Sequence, residues 1–330
     1  MLTKKQNLIE TITGGNPDRY VNQFEAFAPL RGTAYSLHNP RPKRGEENIV
    51  NAWGVTCSWK ENTPGVFPVH TQDKIVVKDI EHWKDYVKAP NVVYDAKEWE
   101  PFIEQREAVD TNEQFSMLTI TPGVFEQCHY LCEIQNTLMY FYTNPDELKE
   151  LIEYITEWEM AYAAEICKYL KPEALLHHDD WGSQISSFVS PDMFKEFIKP
   201  AFMQIYGYYK SHGVKLILHH SDSYAENLVP DMIDMGIDIW QGVITTNDIP
   251  KLIKDYGGKI SFMGAIDNGK YDREDWTEES VGKVVREALD LGGKHYFIPC
   301  GTGGGPGSTY PGSYDCASMW IDRYSKEDFK

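Results

Sequence analysis

From residue 115 onward, short apolar runs that end in polar residues alternate with stretches whose apolar positions recur at helical spacing. The runs are FSMLTI (115–120), EALLHHDD (173–180), VKLILHHSD (214–222), DIWQGV (238–243), KISFMGAID (259–267) and HYFIPCG (295–301). They have the length of buried strands, and the alternation is the signature of βα units laid into a parallel sheet. Leu148, Leu151, Ile152 and Ile155 share one helical face after Asn144-Pro145, and Ser190 followed by Pro191 supplies an N-cap and first-turn pair for a helix over 191–212. Further helices fit 225–235, 248–256 and 278–292, and the opening MLTKKQNLIETITGG has an amphipathic helical pattern.

The region from about 28 to 110 reads as irregular, rich in Pro, Trp and charge, with NPRPKRGEEN (39–48) and KENTPGVFPVH (60–70) as loops. A strand near 20–27, RYVNQFEA, brings the count to seven, and an eighth is inferred in the N-terminal half. The expectation is a (β/α)8 TIM barrel occupying residues 1–330 as one domain, a size such barrels routinely reach. A doubly wound open sheet is the competing fold. It is disfavoured because no GxGxxG turn follows the first strand, and GTGGGPG (301–307) lacks the Lys-Ser/Thr of a phosphate loop.

Composition narrows function mainly by exclusion. Hydrophobic residues at 42% and charged residues at 25% are ordinary for a folded chain and far from a disordered one. The formal charge of −18, with no basic run to offset it, speaks against nucleic acid as a partner. No apolar stretch approaches the roughly 20 residues of a membrane span. The N-terminus lacks the apolar core and cleavage site of a signal peptide, so a cytoplasmic location is expected. The six cysteines, at 57, 128, 132, 167, 300 and 316, are scattered as reduced thiols would be, and Cys128 and Cys132 have helix spacing.

In a barrel the chemistry sits at the C-terminal ends of the strands. Polar residues gather there: His177, His178, Asp179 and Asp180 on one strand, His219, His220, Ser221 and Asp222 on the next, then Asp267 and Cys300. Imidazole, carboxylate and thiolate are common zinc ligands, and a catalytic zinc takes three of them with a fourth position open. His220 and Asp222, two apart, share a direction because side chains alternate along a strand, and Cys300 would reach the same point from the last strand. One of each histidine pair is expected to face away from the interior, while Asp222 and Asp180 could instead cap a helix or a turn. A looser trio, Glu46, Glu61 and His82, offers an alternative metal set, although His82 lies in a charged helical segment where solvation is the simpler role. Aromatics near the rim, Trp53, Phe125, Tyr130, Trp181, Tyr224 and Trp240, could wall a pocket, with two or three of them touching an aromatic substrate.

Three segments carry a resemblance that covers essentially the whole chain: GGNPDRYVNQFE (14–25), DDWGSQISSFVSPDMFKEFIKP (179–200) and LILHHSDSYAENLVPDMIDMGIDIWQGV (216–243), completed by GAIDNG (264–269) and the Cys300 strand. Together they resemble the uroporphyrinogen decarboxylase superfamily, on its branch of corrinoid-dependent methyltransferases. True decarboxylases of the family carry an Arg-Gln-Ala-Gly-Arg-Tyr type segment that helps hold a polycarboxylate. Here that region reads FEAFAPLRGTAYSLH (24–38), and the chain has only eight arginines, among them Arg31, Arg41 and Arg44. In zinc-dependent members the ligands are the His and Cys of His-x-Cys and a later Cys. The match gives His220 and Cys300, with Asp222 in the middle place, a harder ligand that favours oxygen substrates over thiols.

The resemblance implies the methyltransferase component of an anaerobic O-demethylase, moving a methyl group from a small aromatic methyl ether to the Co(I) of a corrinoid protein. Zinc would sit on His220, Asp222 and Cys300, and His178, Asp180 or Glu126 would move protons. Cobalamin would arrive on a partner protein, because no Asp-x-His-x-x-Gly segment occurs in this chain. The Gly-rich loop 301–307 would allow its close approach, and a homodimer is left open. A tetrapyrrole decarboxylase and a methylcorrinoid:thiol methyltransferase are the alternatives.

Overall fold

A computed structural model describes residues 1–330. Its main sheet has seven parallel strands in the order β1-β5-β6-β7-β8-β9-β10. These are β1 (Phe27–Leu30), β5 (Phe115–Ile120), β6 (Ala174–His178), β7 (Leu216–His220), β8 (Ile239–Val243), β9 (Ser261–Ile266) and β10 (Phe297–Gly301). A separate antiparallel sheet joins β2 (Ile49–Val50), β3 (Thr56–Ser58) and β4 (Phe67–Pro68). The six apolar runs read from the sequence are therefore all strands. The expected helices are present as Lys4–Thr13, Pro145–Tyr169, Glu226–Asp234, Ile249–Tyr256 and Glu278–Gly292, and as a helix from Pro191 to Ser211 with a wider turn at Phe194–Ile198.

Strand pleating decides what each face does, because alternate residues point to opposite sides. One face of the curled sheet encloses Phe27, Phe115, Met117, Ala174, Leu176, Leu216, Leu218, Ile239, Met263, Ile298 and Cys300 in an interior cluster. The other face sends Leu175, Ile217, Trp240, Phe262 and Phe297 into the larger core beneath the helices. Continuing the interior rank toward the strand ends gives His178 on β6, His220 on β7 and Gln241 on β8. His178 is in register with His220, and His220 with Gln241.

The ring is not closed by a hydrogen-bonded ladder. The strand expected at 20–27 begins only at Phe27, and no eighth parallel strand forms. The stretch before β1 instead bridges the gap with one residue. Gln23 donates its backbone N–H to the Pro299 carbonyl (3.3 Å), accepts the Gly301 N–H through Oε1 (3.2 Å) and donates Nε2 to Ser318 Oγ (2.7 Å). Replacing Gln23 with alanine should leave the buried Gly301 N–H without a partner and cost about 1–3 kcal/mol in urea unfolding. A change under about 0.5 kcal/mol would mean that this contact does not hold the seam.

The segment from 28 to 110 is more ordered than its composition suggested, because aromatic side chains pin it to the long helix Pro145–Tyr169. Trp53 and Tyr35 meet Trp158 edge-on at 5.1 and 5.2 Å, and Trp99 stacks on Tyr169 at 4.9 Å. The segment also touches the helix Val124–Cys132 and the loop after β10. His70 Nε2 meets the Tyr130 carbonyl at 3.1 Å, and Arg44 donates to the Glu61 carbonyl (2.9 Å) and the Thr309 carbonyl (3.3 Å). No helix is long and apolar enough to cross a membrane.

Candidate active site

Adjacent histidines on β6 and β7 part company at the pleat. His177 and His219 face the helix layer: His177 Nε2 meets Glu159 Oε2 at 3.0 Å, and His219 accepts or donates at Nδ1 with the Tyr206 hydroxyl at 2.7 Å while Trp181 stacks on its ring at 3.7 Å. His178 and His220 face the interior, their rings stacked with centroids 4.2 Å apart. Each has its Nδ1 occupied. His178 Nδ1 meets Glu126 Oε2 at 2.9 Å, and His220 Nδ1 meets Gln241 Oε1. The Gln241 amide is oriented in turn, since its Nε2 donates to the Gly301 and Gly303 carbonyls at 3.2 Å each. Both Nε2 atoms are thereby left for another partner.

That partner set includes Asp180. Its Oδ1 lies 3.7 Å from His220 Nε2 and accepts the Asp222 N–H at 3.1 Å. One ligand atom each from His178, Asp180 and His220 lie within 4.8 Å of one another. Burial lowers the pKa of both imidazoles below the usual histidine value, with the His178 ring adding to the effect at His220. That shift favours the neutral imidazole, the form that binds metal. Burial, reinforced by the Asp180 charge, pushes the Glu126 carboxyl well above the carboxylate range and raises Asp222 to about 7. A cation at the trio would relieve that crowding of carboxylates. Two neutral imidazoles anchored through Nδ1 and one carboxylate fit a divalent metal, and the Glu126 and Gln241 contacts are the outer partners such ligands characteristically have.

Glu126 owes its position to Asp179. This buried carboxylate accepts the Phe125 N–H (3.1 Å), the Glu126 N–H (2.7 Å) and the Trp181 indole N–H (2.9 Å), and so fixes the first turn of the helix Val124–Cys132. Gly123 has to be a glycine there, since a Cβ would stand 2.5 Å from Asp179 Cβ.

Other expectations from the sequence fall differently. Of the set His220, Asp222 and Cys300, only His220 belongs to the converging trio. Asp222 stands beside it, within the field of Asp180 and His220. Cys300 is fully buried in the interior cluster beside Gln241, and its thiol pKa is driven upward by burial. Glu46, Glu61 and His82 form no such cluster; His82 pairs with Asp79 on the surface. Among the aromatics, Tyr130 lies in the field of Glu126 and Asp180, which together with burial raises its phenol pKa. Trp240 is fully buried on the helix side, donating its indole N–H to the Ser221 carbonyl, and Trp181 is buried against His219. Phe125 packs against Phe141 and Phe188, Trp53 against Trp158, and the Tyr224 hydroxyl donates to Glu226. Sequence reasoning missed Gln241, the polar residue at an interior position of the DIWQGV strand, and Gly304, whose backbone approaches both rings.

The uroporphyrinogen decarboxylase (URO-D) family profile matches residues 49–309. The chain belongs to the uroporphyrinogen decarboxylase family. Among solved structures, a methyltransferase from Methanosarcina mazei superposes with a TM-score of 0.65 at 15% identity, covering 98% of this chain and 99% of that one. A B12-independent methionine synthase from Shewanella sp. W3-18-1 aligns over 73% of this chain and 68% of its own, with a TM-score of 0.46 and 16% identity. A search of curated proteins by sequence found no match. The first superposition shows a fold shared over nearly the whole of both chains.

Proposed function

We propose that this chain is a methyltransferase of the URO-D family that moves a methyl group from a small aromatic methyl ether to the Co(I) of a corrinoid carried by a separate protein. The observation that carries the reading is the convergence of His178, Asp180 and His220 at the strand ends, with both Nδ1 atoms already held. In the transfer the methyl–oxygen bond breaks, the methyl carbon accepts the cobalt electron pair, and the bonding pair stays on oxygen. A phenolate, whose conjugate acid has a pKa of about 10, leaves poorly unless its oxygen is protonated or held by a cation. A divalent ion, zinc by the chemistry of its donors, would be held by His178, Asp180 and His220 and would supply that positive charge. The chain's own contribution is to orient: Glu126 and Gln241 set the two rings.

Charge also favours this reading over a tetrapyrrole decarboxylase. Arg44 is turned onto backbone carbonyls, and Arg41 is the arginine whose charge reaches His178 and Tyr130, so a polycarboxylate would find few cations to pair with. The test is anaerobic. The purified chain is mixed with a reduced corrinoid protein and a panel of methoxylated phenols, and loss of the Co(I) absorbance is followed. Loss that depends on both this chain and one methoxyphenol is the expected result. Silence across the panel, with uroporphyrinogen decarboxylated instead, would return the chain to the decarboxylases.

A further inference from the structure

The helix Val124–Cys132 starts without a side-chain cap of its own, because its N-cap residue is Gly123. The N–H groups of its first turn go instead to Asp179, a fully buried residue that directly follows β6. Asp179 Oδ1 accepts the Glu126 N–H, while Oδ2 accepts both the Phe125 N–H and the Trp181 indole N–H. All three partners are donors, so both oxygens are committed as acceptors. The backbone of Asp179 is tied to β7: its N–H donates to the His220 carbonyl at 3.1 Å, and its carbonyl meets His219 Nε2 at 3.0 Å. The helix is tied back in turn, the Gly123 N–H donating to the His178 carbonyl at 2.7 Å. Asp179 stands in sequence between His178 and Asp180, yet it is not one of the converging ligands. Its contacts run instead to the Glu126 backbone and, through the Glu126 side chain, to His178 Nδ1 at 2.9 Å.

We infer that Asp179 is a positioning residue of the metal site: by capping the helix Val124–Cys132 from the end of β6, it sets Glu126, and through Glu126 the ring of His178. The inference rests on the metal reading above. It turns on the number of acceptors. An amide at position 179 offers one acceptor oxygen for two acceptor places, so one N–H of the helix or of the indole would face an NH2 group. The first turn then has to shift, and the Glu126 carboxylate moves with it. The His220 ring has a separate holder, Gln241 on β8. A disturbance that starts at the Asp179 carboxylate therefore reaches one of the two rings by a path the other does not share.

The experiment measures the zinc affinity of the full chain by equilibrium dialysis, on variants whose folding is checked by circular dichroism. Asp179→Asn and Glu126→Ala should each weaken zinc binding about 10–100-fold, the range for outer partners of metal ligands. Combined, they should weaken it no more than the stronger of the two does alone, to within about twofold, because both break the same path. Asp179→Asn combined with Gln241→Ala should instead lose the product of the two single effects. A carboxylate that only steadied the fold would treat Glu126 and Gln241 alike. Unchanged zinc affinity in Asp179→Asn would overturn the inference, as would losses that multiply with Glu126→Ala. Failure of the unsubstituted chain to bind zinc would instead remove the metal reading, and the inference with it. Should Asp179→Asn fail to fold, Trp181→Phe decides, since it removes one of the three donors and keeps an aromatic ring against His219. Its zinc affinity should fall about threefold or more, the scale of one hydrogen bond, with no further fall when Glu126→Ala is added. An unchanged affinity there would overturn the inference.

Discussion

Replacing His220 with alanine should abolish binding of the proposed divalent metal while leaving the fold intact, and replacing His178 or Asp180 should do the same. Each supplies one of three converging ligand atoms, so losing one leaves a two-ligand site open to water. The loss in affinity should exceed the roughly 10–100-fold attached to an outer partner, which is the size expected for Gln241→Ala. Equilibrium dialysis against zinc, read by elemental analysis, measures all four. Cys300→Ala is the informative control. The thiol is buried in the apolar interior, apart from the converging trio, so metal content should not move. If Cys300→Ala released the metal as fully as His220→Ala, the ligand set would have to include the thiol from β10.

Moving one residue back along the same strands should give the opposite phenotype. His177 and Glu159 are fully buried on the helix side and hydrogen-bonded to each other at 3.0 Å. Replacing His177 with alanine removes the partner of a carboxylate that has no water to turn to. The expected loss is about 3–5 kcal/mol, the range for breaking a buried pair from one side. Metal binding in the folded fraction should be unaffected, because the pleat keeps His177 on the far face from His178. Urea unfolding followed by tryptophan fluorescence would read the first quantity, and zinc dialysis the second. A loss below about 1 kcal/mol would show that the pair contributes no more than an ordinary hydrogen bond.

How far the site could be read from sequence follows from where the strands stop. Up to His178 and His220 the period of two holds, so one ring of each pair had to face inward, and the interior partners Leu176 and Leu218 show which. Asp180 and Asp222 lie beyond the last strand residues, where no pleat dictates direction, and the choice between them could not be made from spacing. Cys300 was correctly placed on an inward position, but the sequence did not reveal that the Gln241 amide would be the neighbour of both its thiol and the His220 ring. Trp240 carried a legible signal for the packing role: it is out of phase with Gln241 on the same strand and faces the helices. Trp53, a candidate pocket wall by sequence, instead joins Tyr35 and Trp99 in pinning the N-terminal third to the helix Pro145–Tyr169. The missing eighth strand left no trace in the apolar pattern, yet both strands that border the gap contain a proline, Pro29 and Pro299, a residue that parallel sheets confine to their edges.

Those two prolines bear on how the protein behaves in a crowd. A parallel sheet that stops short of closure offers two unpaired borders, each able to recruit a strand from another molecule and begin an ordered aggregate. Pro299 turns its carbonyl to Gln23, and its ring nitrogen lies on the same side with no proton to offer. Gln23 fills what remains of that border with its own amide. The gap in the ring is thus stoppered from within, and a second chain finds no continuous row of donors on which to grow.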